Sequence, residues 1–330
     1  MVKHGLKFLI LGFAISQPAG ALATTPPGHN AKSAADRYYV WRSEAVRALA
    51  ARPDANSVAT AAALNFTNSF TQPSTAPTSL QLIARAGDLA PENAAIAWLH
   101  LQLCANTPSC ESRDAAIVLR WVDPDNGAAW LDQLSTAHKD KDNIEIDRVL
   151  ADMARGTRFD LYYNQIMVMM FDALNGVHRE LPGGVMASDT EKLIALAGVA
   201  NAEIIPPFSP LIDSCRESAA GRERRADCLK LAKIMQKGDT VIVQMVGFGI
   251  QKRLIPADGK EARALAERKR VLEWRLSAAS KLDASILPWT QSARTRTRLA
   301  QMRLRPREED VCIALLREHK MALEPAENHP

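Results

Sequence analysis

A chain of 330 residues has room for two domains. With 47% apolar and 24% charged residues it can bury a core, which excludes general disorder. Its 41 basic and 37 acidic residues leave a net charge of +4, too balanced for a nucleic-acid-binding surface.

The N-terminus reads as an address. Lys3 and Lys7 precede the apolar run Phe8 to Ile15, and Ala21-Leu22-Ala23 follows as a small-residue cleavage site. This predicts a signal peptide over residues 1–23, cut before Thr24, and a protein that is exported, periplasmic or secreted. The run is less than half the roughly 20 residues that cross a bilayer as a helix. No later stretch is apolar for the roughly 18 residues that mark a span, so no transmembrane segment is expected after cleavage. Residues 24–32 read as a loose tail.

From there the chain is punctuated by proline at helix-sized intervals. Aromatics are only 5% and alanine is the commonest residue, which favours helix over sheet. Helices are expected near 33–51, 54–66, 79–88, 91–105, 111–121, 125–138 and 143–155, followed by a very apolar segment over 159–175. Leu181-Pro182-Gly183-Gly184 makes a turn. Ser188 with Glu191, and Asp258 with Glu261, have the spacing of capping boxes. Residues 240–253 begin with strand-like Val241 to Val243, but one strand has no partner. A buried helix with Gly247 and Gly249 at close packing positions is the expectation. In the last helix Glu308, Glu309 and Asp310 stand at the start and Arg317 and Lys320 near the end, as the helix dipole favours. The fold class is therefore all-α: helical hairpins stacked as a short solenoid, or an irregular helical bundle.

An internal echo supports the first arrangement. Leu89-Ala-Pro91-Glu-Asn93 and Val122-Asp-Pro124-Asp-Asn126 lie 33 residues apart, each followed by alanines and a tryptophan, Trp98 and Trp130. A further 33 residues on, Tyr163 falls where Trp130 stood. This period, with two helices per unit, resembles the tetratricopeptide-type helical repeats. The resemblance covers residues 88–175. The family's small residue in the middle of the first helix is missing, since Leu134 occupies that region, and its second-helix positions match poorly around Asp147 to Met153. It implies repeats over residues 33–178, a C-terminal helical domain over 179–330 that continues the solenoid, and a function in binding protein or peptide.

Five cysteines lie beyond the signal segment. In an oxidising compartment their spacing favours Cys104 with Cys110 and Cys215 with Cys228, leaving Cys312 as a buried apolar residue. His100 and Cys104 share a helical face, but a zinc site would need further ligands and reduced thiolates. No metal and no cofactor is expected.

The sequence contains no nucleophile elbow, phosphate loop, dinucleotide fingerprint or His-Glu-x-x-His. Glu217-Ser218 followed by Met235-Gln236 resembles part of the lytic transglycosylase pattern, but the Ala, Ser and Gly residues between the two halves are missing. Two features remain. Residues 291–307 hold Arg294, Arg296, Arg298, Arg303, Arg305 and Arg307 without an acid. Arg294, Arg298 and Arg305, on one helical face, are candidates to bind an anionic envelope component. Tyr162, Tyr163, Met167 and Met170 are candidates for an adaptable apolar groove. The function expected is an exported protein- or peptide-binding scaffold in the cell envelope without catalysis. The alternative is a helical envelope enzyme acting on glycan or peptide.

Overall fold

The computed structural model describes residues 34–66, 78–108, 110–177, 189–216, 221–284 and 288–326. The expected signal peptide, the loose tail, the 181–184 turn, Ser188, Glu217 and Ser218 lie outside them. Among the described residues the regular elements are all helices, joined by turns and loops, and there is no strand.

The first half alternates short helices: α1 (Ala34–Ala50), α2 (Ala55–Phe66), α3 (Ser79–Leu89), α4 (Ala94–Ala105), α5 (Ser112–Val122), α6 (Leu131–Asp140) and α7 (Asn143–Arg155). Each packs on the next, with a 3-10 turn, Gly127–Trp130, leading into α6. Polar side chains close several of the helix starts. Thr78 and Gln81 form a capping box on α3, Asn93 accepts from the Ala95 and Ile96 N–H groups, and Asp142 accepts from Glu145 N–H. Each cap satisfies orphan donors that would otherwise cost stability. At the other end of α1, Arg85 donates to the carbonyls of Ala50 and Arg52 at 2.8 and 3.0 Å.

The 33-residue echo is a turn repeated in space. Ala90 and Asp123 have φ, ψ of −145°, 69° and −138°, 72°. Asn93 and Asn126 have −85°, 100° and −92°, 106°. In both turns the asparagine N–H donates to the carbonyl three residues earlier, and its side chain then caps the helical segment that follows.

Helix α8 (Tyr163–Gly176) turns back onto α1, α2 and α4, and α9 (Asp189–Glu203) and α14 (Pro288–Leu304) cover it from other sides. A helix apolar on nearly every side needs such surroundings. Trp98 on α4 donates its indole N–H to the Ile204 carbonyl just after α9, at 3.1 Å, tying the same layer together. One core runs from Trp41 on α1 to Leu315 on α15. Each fully buried Leu, Ile, Phe or Met in it contributes about 1.5–3 kcal/mol relative to exposure.

The rest of the chain adds α10 (Ser209–Ser214), α11 (Arg222–Met235), α12 (Val241–Leu254), α13 (Lys260–Ala284) and α15 (Glu308–Glu318). The strand-like residues 241–243 are the first turn of α12, capped by Thr240. Gly247 is needed there: a Cβ would lie 2.8 Å from the Ala232 carbonyl of α11. Gly249 meets nothing and plays no such part. Glu261 does not close a capping box; its carboxylate accepts from Gln251 at 2.7 Å. Both expected disulfides are formed, Cys104–Cys110 and Cys215–Cys228, with Cα separations of 5.2 and 5.7 Å. Cys312 is buried and unbridged. No described helix is long and apolar enough to cross a membrane.

Candidate functional site at the start of helix α8

The very apolar segment over 159–175 begins as a loop that runs to Tyr162 before α8 starts, and this loop organises the molecule. Tyr162 has φ 59°, a left-handed conformation that bulky residues rarely adopt. It persists because its surroundings hold it. The ring is buried, tilted against Trp98 with centroids 6.4 Å apart. The phenol donates to one carboxylate oxygen of Asp123 and accepts from Asn126 Nδ2 at 3.0 Å. The other Asp123 oxygen receives the Arg158 guanidinium. Asn126 Nδ2 also donates to the Asp160 carbonyl at 2.9 Å, and Asn126 Oδ1 accepts from Asp160 N–H at 3.0 Å. Burial, reinforced by the Asp123 carboxylate, pushes the Tyr162 phenol well above its usual range, so it stays protonated and remains a donor.

Three further acids surround this knot. Asp239, only 3% exposed, accepts from the N–H groups of Leu161 and Tyr163 at 2.9 and 3.3 Å. Its carbonyl accepts from Glu308 N–H at 2.7 Å, and Glu308 Oε2 accepts from Val241 N–H at 2.8 Å. Gly238 beside it has no room for a Cβ, which would lie 2.7 Å from the Phe159 carbonyl. Burial raises the proton affinity of Asp239, Asp160 and Glu308, and for Asp239 the neighbouring Asp160 adds to it.

Chemically this arrangement holds backbone. Both oxygens of the Asp123 carboxylate are occupied, and the phenol is committed. No group of three His, Cys, Asp or Glu among the described residues could hold a metal ion. Met235 and Gln236, from the transglycosylase-like pattern, are buried within the helix pair α11–α12.

The structure brings the apolar and arginine candidates together, since α14 lies against α8 and α9. Met167, Met170 and Tyr162 are buried in the core and Tyr163 packs against it, so the four pack the interior instead of lining an open groove. The arginines are engaged from within. Arg294 donates to the Leu282 carbonyl, Arg303 pairs with Asp172 on α8, and Arg296 pairs with Asp189 on α9 at 3.3 Å. Arg298 faces Glu308 and Tyr163. Arg305 does not share a helical face with Arg294 and Arg298, because α14 stops at Leu304 before Pro306; its guanidinium meets Gln301.

Exposed large apolar side chains are scattered over several helices, and three of them cluster on one short helix. On α5, Ala115, Ala116 and Leu119 fill the buried stripe, while Ile117 (48% exposed), Val118 (46%) and Trp121 (71%) stand outward one turn apart. Next to them Arg120 stacks on the Trp130 ring at 4.5 Å.

No family model, no curated protein and no solved structure matches the chain.

Asp123, Asn126, Arg158, Asp160 and Asp239 were not singled out by sequence as a group. Asn126 stood out only through the echo, and the residues it joins are 34 and 36 positions away. The α5 face did carry a signal: a short helix with apolar residues on both sides has more than its buried stripe needs.

Proposed function

We propose that the chain is an exported, tetratricopeptide-like helical scaffold that binds a protein segment in the cell envelope through the outer face of α5. Residues 33–178 supply the repeats, and residues 179–330 buttress them. Export through residues 1–23 is supported by two disulfides, which persist in oxidising compartments.

The observation that carries the binding reading is the Ile117, Val118 and Trp121 face. Together these side chains offer on the order of 300 Å² of apolar surface, the size of a functional patch on a monomer. A stable pair of folded proteins buries about 800 Å² on each side. The face therefore suits one amphipathic helix or short apolar segment of a partner better than a second copy of this chain. Ile117 and Trp121, four residues apart, form a ridge that fits the groove between side chains of another helix. Exposed tryptophan is also the residue type most enriched at binding hot spots.

The test is a photo-crosslinking amino acid at position 117, in the native compartment, with the captured segment sequenced by mass spectrometry. Position 267 on the solvated face of α13 serves as control. Capture of an exported protein through a segment with helical apolar periodicity supports the reading. Capture only of this chain, or equal labelling from both positions, refutes it.

A further inference from the structure

The seam between the loop before α8 and the starts of α12 and α15 is built on acids. Asp239 reaches back 78 and 76 residues to the N–H groups of Leu161 and Tyr163, and Glu308 reaches back 67 to that of Val241. The Asp239 carboxylate is buried, held by two backbone N–H groups, and meets no cation at ion-pair distance among the described residues. The charged and titratable groups around it come from every packed element. The loop contributes Arg158 and Asp160, with Asp123 behind them. Helix α8 contributes Tyr163, and the α14–α15 region contributes Arg298, Arg307 and Glu308. Lys237, two residues before Asp239, is exposed. Arg158 is committed to Asp123 and lies 3.8 Å from Asp160, and Arg307 pairs with Glu309 and Asp310. Negative charge is thus concentrated where the chain crosses itself, and the nearby cations serve its edge, Arg158 at Asp160 and Arg298 facing Glu308, without reaching the Asp239 carboxylate.

We infer that this seam is a proton-operated clasp, in which Asp239, with Asp160 and Glu308 at its edge, holds the starts of α12 and α15 against the loop more firmly when protonated and loosens as pH rises. The physical reason is that burying an ionised carboxylate without a counter-charge is costly, whereas the neutral acid is not. The raised proton affinity of all three acids has the same sign. A carboxyl group that binds its proton more tightly in the folded state stabilises that state most below its unfolded pKa. That contribution disappears as pH climbs through the folded value. Helices α13, α14 and α15 pack on one another and meet the remaining helices through α8, α9 and α12. Loosening the clasp would therefore mobilise this C-terminal layer before the rest.

The test is residue-resolved amide hydrogen exchange of the full chain at about pH 5 and about pH 8, corrected for intrinsic rates, where one unit of pKa difference corresponds to about tenfold. The Leu161 and Val241 amides should be protected at least about tenfold more at the acidic pH, while the Val149 amide on α7 changes little. Asp239→Asn should remove most of that difference at Leu161, and Glu308→Gln most of it at Val241. Glu308→Gln keeps an oxygen to accept from Val241 N–H, so it decides the matter if Asp239→Asn does not fold. Equal or greater protection at pH 8 in the wild type, or variants that keep the full pH dependence, would overturn the clasp.

Discussion

Changing Tyr162 to Phe deletes a single oxygen from the knot before α8 and leaves nearly everything else in place. The ring still packs on Trp98, and the left-handed backbone strain is the same for both residues, so it cancels in the comparison. What is lost is the phenol's bond to the buried Asp123 carboxylate and its acceptance from Asn126. A hydrogen bond to a charged group contributes about 1.5–3 kcal/mol, and a buried acceptor left without its donor pays toward the upper end. Asn126 keeps its bond to the Asp160 carbonyl, so its share of the loss is small. The expected destabilisation is about 2–3 kcal/mol, a fall of roughly 4–10 °C in Tm for a domain of this size. Urea unfolding should show a lower midpoint at unchanged slope. Tyr39→Phe, on the exposed face of α1, is the control and should leave the midpoint in place. A Tyr162→Phe midpoint equal to the control would refute the knot as an energetic centre.

The repeated turn gives a graded pair: Asn93→Ala removes a helix cap only and should cost about 1 kcal/mol, whereas Asn126→Ala also releases Asp160 and Tyr162 and should cost clearly more, both read by chemical unfolding. Reducing the disulfides should lower stability, with about 3 kcal/mol from Cys215–Cys228 on the chain-entropy model. Thiol titration of the unreduced protein should find one reactive cysteine, Cys312, and only after denaturation. Converting Arg294, Arg298 and Arg305 together to Gln should lower Tm by several degrees, because the groups serve carbonyls and acids within the fold. An unchanged Tm accompanied by loss of salt-sensitive sedimentation with anionic liposomes would return these arginines to the surface.

The helices were legible because their signals are local. Proline spacing, cap residues such as Asn93 and Asp142, and the alanine-rich stripes each act within one or two turns. Residues 241–243 show how context decides: their strand propensity yields to Thr240 as a cap and to Gly247, which lets α12 lie against α11. The knot was illegible for the opposite reason. Tyr162 looks from sequence like one more apolar residue in a Met-rich helix, and only Asp123 and Asn126, brought from the previous repeat, turn its hydroxyl inward. The arginine segment misleads similarly. Its acids, Asp172 and Asp189, stand on α8 and α9, more than 100 residues earlier, so a run without local acids is paired at long range. On α5 the surplus apolar face was written in the sequence, since three helical positions suffice to bury so short a helix.

Binding through that face is tested most directly by affinity. The segment captured at position 117, synthesised as a peptide, should bind the purified wild-type chain. Trp121→Ala should weaken it about 30-fold, the effect of a hot-spot truncation of about 2 kcal/mol, while Tm stays within about 1 °C because the side chain is exposed. Equal affinity of wild type and Trp121→Ala for that peptide would contradict the account.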